Sequence, residues 1–120
     1  MKLITAYCLL LLSATTVANE ADVIDVKTQC HDSCTFHVTV RHEDEGWEHY
    51  VNRWQVLTPD GEVIATRTLM HPHVHEQPFT RSLSNIRVPS GIKKVVLRAH
   101  DSIHGYAGKT LEIEIEKNAD

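Results

Sequence analysis

The strongest constraint on how this chain folds is a two-residue alternation of apolar and polar side chains that recurs along its length. In residues 35–41, Phe36, Val38 and Val40 fall on one side and Thr35, His37, Thr39 and Arg41 on the other, as in a strand with one face buried. Leu111, Ile113 and Ile115 alternate with Glu112, Glu114 and Glu116 in the same way; one face is dry and one wet. Further strands are predicted over 23–28, 50–57, 62–69, 79–88 and 92–100, and no window after residue 20 carries a helical period. Thr58-Pro-Asp-Gly61 and Pro89-Ser-Gly91 have the proline and glycine that tight turns need. Seven short strands on about a hundred residues predict an all-β, seven-stranded immunoglobulin-like β-sandwich.

Residues 1–18 read as a signal peptide, with Lys2 ahead of an apolar core and Thr16-Val17-Ala18 at the cleavage position. That core is shorter than the roughly 20 residues that span a bilayer. Tyr7 rather than a small residue precedes Cys8, which argues against a lipid-anchored cysteine. Residues 19–120 then form a single domain, placed in the periplasm or secreted. Without Lys2 the net charge moves from −4 to −5, and no block of like charge suggests nucleic acid or an anionic membrane surface. In an exported chain the closely spaced Cys30 and Cys34 are expected to form a local disulfide.

Histidine is the anomaly, and all nine lie after residue 18. In a sandwich of antiparallel strands the connections after the second, fourth and sixth strands gather at one end. That end receives His42 and His49, then His71, His73 and His75, then His100 and His104, while His31 and His37 lie elsewhere. Imidazole is the commonest metal ligand, and several of them on different loops make a site that first-row metals prefer. Glu48, Glu76 and Asp101 are carboxylates that can ligate or orient an imidazole through its free nitrogen. Trp47 and Tyr50 fall at the same pole, where Trp47 walls the site or caps the core. Trp54 is expected in the core, and Arg81 beside a carboxylate.

The segment Glu48-His-Tyr-Val-Asn-Arg-Trp54, preceded by His42, resembles the His-Pro-x-x-x-Glu-His-Tyr-Ile-x-Trp segment of superoxide reductases, the desulfoferrodoxin and neelaredoxin proteins. Asp101-Ser-Ile-His-Gly-Tyr106 is similar to that family's Cys-Asn-x-His-Gly-Leu-Trp. The resemblance covers about a fifth of the chain. It implies an immunoglobulin-like fold and one Fe(II) held by four histidines and an axial cysteine, with His42, His49 and His104 as three of the histidines. This chain departs from the pattern in three ways. Asp101 stands in place of the cysteine, and the first loop is one residue longer and contains Trp47. The family's N-terminal histidine has no counterpart, so His71, His73 or His75 is expected to replace it. With a carboxylate in place of sulfur, Cu(II), Zn(II) or Mn(II) fits such a donor set as well as Fe(II) does.

Three functions follow as expectations. The first is an exported mononuclear metal-binding protein. The second is a redox enzyme that reduces superoxide or peroxide with the help of a redox partner. The third is a non-catalytic module that binds a partner through the same loops.

Overall fold

The computed structural model describes residues 19–116; the expected signal peptide lies outside them. The expected seven strands are present, in two antiparallel sheets. β1 (Asp22–Cys30), β2 (Cys34–Arg41) and β5 (Phe79–Ile86) form one sheet in the order β1-β2-β5. β3 (Val51–Leu57), β4 (Val63–Thr68), β6 (Lys94–Asp101) and β7 (Leu111–Glu114) form the other, in the order β4-β3-β6-β7. No helix occurs among the described residues.

The alternation is what packs the two sheets together. Phe36, Val38 and Val40 of β2 and Trp54 and Val56 of β3 are fully buried, as are Val95 and Leu97 of β6. They form one cluster with Ala99, Phe79 and Ile86. Large side chains dominate such a core, and truncating Phe36 to alanine is expected to cost about 3–5 kcal/mol. Cys30 and Cys34, register partners at the closed end of the β1–β2 hairpin, are joined by the expected disulfide.

Some boundaries differ from the sequence expectation. β5 stops at Ile86 rather than 88 because its partner there, Cys34, is the first residue of β2; the φ of 60° at Asn85 falls at a register shift within the strand. β6 begins at Lys94 rather than 92, since the amide of Ile92 is spent on the turn, donating to Pro89 O. It also runs on to Asp101, where Asp101 and Gly105 exchange backbone hydrogen bonds at 3.1 and 3.0 Å. β4 pairs with β3, which makes sheets of three and four strands, whereas antibody constant domains place the fourth strand beside the fifth. Successive strands still alternate in direction, so the sorting of loops between the two ends is unaffected.

Gly108 ties β7's approach to the start of β1. A Cβ there would collide with the carbonyl of Ala21. Its absence lets Lys109 accept from the Val23 amide at 2.9 Å and donate to Asp22 Oδ1 at 2.7 Å.

Candidate metal centre

Three strands end with their inward-facing parity intact. In β2 the inward residues Phe36, Val38 and Val40 are followed, two further on, by His42. Val51 opens β3 facing inward, and His49 lies two before it. In β6, Val95, Leu97 and Ala99 lead to Asp101. Because side chains alternate faces along an extended chain, each of these polar residues sits as one more layer on top of the core. All three are buried. The β2–β3 loop is bent back at Gly46, whose φ of 104° is natural only to glycine. The amide of Glu45 then donates to His49 O at 2.8 Å, which holds the return.

His42 Nε2 lies 3.2 Å from His49 Nε2, and His49 Nε2 lies 3.1 Å from Asp101 Oδ1. One donor atom from each of the three residues falls within 4.8 Å of the others. Metal–nitrogen and metal–oxygen bonds of about 2.0–2.2 Å put neighbouring tetrahedral ligands about 3.3–3.6 Å apart, and octahedral ones closer. The spacing therefore suits ligands sharing one ion, and the cluster can hold a metal. Asp101 Oδ2 is buried with no hydrogen-bond partner, a costly state for a carboxylate oxygen unless a cation meets it. Asp101 Oδ1 accepts from the amides of Ile103 (2.9 Å) and His104 (2.7 Å), and His104 Nδ1 lies 3.3 Å away. The side chain of His104 is 31% exposed and its ring centroid is 5.1 Å from that of His49, so it closes the solvent side of the cluster.

Asp44 orders this arrangement. Its Oδ1 accepts from His42 Nδ1 at 2.6 Å and from the Val51 amide at 3.2 Å, and its Oδ2 from the His73 amide at 2.7 Å. With Nδ1 committed to Asp44, Nε2 is the nitrogen of His42 left to ligate, a common second-layer device at metal sites. Glu45 stands 3.5 Å from His49 Nδ1 and plays a looser version of the same part.

Burial works against charge on His42, but the bond to Asp44 and the fields of Asp44 and Asp101 outweigh it and raise its pKa. Burial likewise disfavours the anionic form of Asp44, yet the bonds from His42 and the amides of His73 and Val51 hold its carboxyl below the ordinary range. For Asp101, burial is overcome by the amides of His104 and Ile103. Two buried carboxylates are thus kept anionic beside the imidazoles. Protonated, His42 also donates Nε2–H to Asn19 O at 3.0 Å. Losing that proton leaves a lone pair on the same nitrogen, 3.2 Å from His49 Nε2, so proton and metal compete for it.

The structure brings His42, His49 and Asp101 together, with His104 at the edge, and separates the remaining candidates from them. His71 and His75 are exposed. His73 is buried, but its Nδ1 is 4.0 Å from Asp44 Oδ2 and it lies outside the three-residue cluster. Burial lowers its pKa, and Arg81 and His71 add to the effect. His100 has the outward parity of β6, bonds Asn52 at 2.6 Å and packs on Tyr106. Glu76 pairs with Arg81 at 3.1 and 3.2 Å, the partner expected for that arginine. Glu48 is exposed, and its carbonyl accepts from Ser102 at 3.4 Å. Tyr50 is half-buried and packs edge-on against Trp47. Trp47 itself is 67% exposed and does not cap the core, because the turn at Gly46 carries it outward. Reading the sequence missed Asp44, Glu45 and Asn19. An acid two residues after a ligand histidine was the available signal for Asp44.

A protein of Halomicrobium mukohataei that bears the name "Putative lipoprotein" is 41% identical over 102 residues, 83% of this chain and 50% of that one. The chain therefore spans half the length of this relative. No protein-family model and no solved structure matches it.

Proposed function

We propose that this is an exported, mononuclear metal-binding protein of immunoglobulin-like fold. His42, His49 and Asp101 form the centre and His104 completes it. The observation that carries this reading is the convergence, to within 4.8 Å, of donor atoms from the β2–β3 connection and from the end of β6, with His49 and Asp101 52 residues apart in sequence. The name of the relative and the disulfide support export. The motif around His42 and His49 and the Asp101…His104-Gly105 motif make the centre akin to that of superoxide reductases, with Asp101 in the place of the axial sulfur. A harder oxygen ligand donates less to the metal than a thiolate does, so Zn(II) and Cu(II) compete with Fe(II). Elemental analysis of untagged protein purified anaerobically tests the assignment. One equivalent of metal is expected in the native chain, and a large loss in His49→Ala and His104→Ala. A native chain that takes up no metal at micromolar supply refutes it.

A redox activity toward superoxide or peroxide is the second reading, favoured by the partly exposed His104 edge. Iron-loaded protein is then expected to consume superoxide in a pulse experiment, and inertness removes this reading while leaving metal binding intact.

A further inference from the structure

The β4–β5 connection carries Met70-His-Pro-His-Val-His75, and none of its histidines joins the centre described above. Its side chains are nevertheless arranged unlike those of a plain loop. His73 is 5% exposed and stacks flat on Phe79, with centroids 4.1 Å apart and planes 8° from parallel. Both of its ring nitrogens are buried without a hydrogen-bond partner, and the nearest carboxylate oxygen is 4.0 Å away. A buried imidazole with neither nitrogen satisfied loses free energy on folding that a ligand would restore. His73 forms part of the wall of an open groove of about 620 Å³ that Trp47, His71, Val74 and His75 also line.

His71 packs against the exposed region of that wall, its centroid 4.7 Å from His73. Its Nδ1 lies 3.1 Å from Pro72 O. A carbonyl only accepts, so Nδ1 carries the proton and Nε2 keeps its lone pair in the neutral ring. Met70, the residue before, is 73% exposed, an unfavourable place for an apolar side chain and a suitable one for a thioether ligand.

We propose that this loop is a second metal site, separate from the first, which takes Cu(I) through Met70 Sδ, His71 Nε2 and a ring nitrogen of His73. Thioether and imidazole together select the soft cuprous ion over the harder divalent metals, and exposure of Met70 and His71 lets them close over the ion from solvent. The site does not depend on the function proposed for the buried centre.

Anaerobic titration of the full chain with Cu(I) against a colorimetric chelator tests it. Native protein is compared with the double variant Met70→Ala/His71→Ala and with His73→Phe. Among the described residues, Met70 and His71 share no hydrogen bond, ion pair or ring contact with His42, His49, Asp101 or His104, so the difference between native and double variant reports the loop whatever the centre binds. One equivalent fewer is expected in both variants. The native copper X-ray absorption spectrum is expected to show a sulfur scatterer that vanishes with Met70. His73→Phe keeps the stack on Phe79 and removes two unpaired nitrogens, so its melting temperature is expected to hold or rise. Equal copper stoichiometry in native and double-variant protein overturns the proposal, and so does a native spectrum without sulfur.

Discussion

Replacing Asp44 by asparagine isolates the charge that orders the centre while leaving its shape. The native carboxylate accepts three hydrogen bonds, from His42 Nδ1 (2.6 Å), the Val51 amide (3.2 Å) and the His73 amide (2.7 Å). An amide has one acceptor oxygen, so it cannot serve both ends. If its oxygen stays on His42 and Val51, its NH₂ faces the His73 amide, and a buried N–H goes unpaired at a cost of about 1–3 kcal/mol. If it flips, NH₂ faces His42 Nδ1, which must then accept. The proton moves to Nε2, the nitrogen that points at His49, and ligation there is blocked. Either way the second-layer carboxylate is lost, and such losses lower metal affinity by about 10- to 100-fold, or about 1.4–2.7 kcal/mol. The assay pairs urea unfolding of chelator-stripped protein with Zn(II) competition against a fluorescent chelator. Asp44→Asn is expected to unfold at lower urea with an unchanged m-value and to bind zinc at least tenfold more weakly. Native zinc affinity in a folded Asp44→Asn variant refutes the claim that Asp44 selects the ligating nitrogen of His42.

Three further outcomes are expected. Gly108→Ala forces a Cβ against the Ala21 carbonyl and is expected to cost about 1–3 kcal/mol, seen as a lowered urea midpoint; an unchanged midpoint would show that β7 and β1 yield freely. Reducing the Cys30–Cys34 bridge, which closes a loop of only a few residues, is expected to remove about 2 kcal/mol without changing metal affinity, since the hairpin end lies opposite the centre; loss of bound metal on reduction would contradict that placement. For Glu76, the hydrogen bond from Arg81 lowers its pKa from 4.5. Its contribution is therefore present above that value and lost as pH falls through the folded pKa. The stability difference between native protein and Glu76→Gln should thus be small at neutral pH and vanish in acid, and a difference that grows on acidification would rule out the ion pair.

Alternating side chains were enough to specify the strands over 35–41 and 111–116 and the burial of Phe36, Val38 and Val40, because a period of two is a property of extended backbone wherever it lies. The burial of Trp54 was expected from the sandwich fold, not from alternation. The same arithmetic carries past the strand ends, where two steps beyond Val40 and Ala99 lie His42 and Asp101. The ladder partners were not legible. β4 joins β3 through hydrogen bonds between backbones, which are the same for every residue, so nothing in Val63–Thr68 announces its neighbour.

Sequence alone determined the strand count, the closely spaced cysteine pair, and the pole at which most of the histidines collect, since these depend on local spacing and on strands reversing direction. Only the tertiary structure decided which of those histidines meet. His49 and His71 are equally histidines on loops of one pole, yet one is buried 3.1 Å from Asp101 and the other faces solvent. That division comes from the turn at Gly46 and from Asp44 bonding His42, Val51 and His73 across two connections. Convergence of donor atoms is set by distances between residues far apart in the chain, and periodicity carries no information about those.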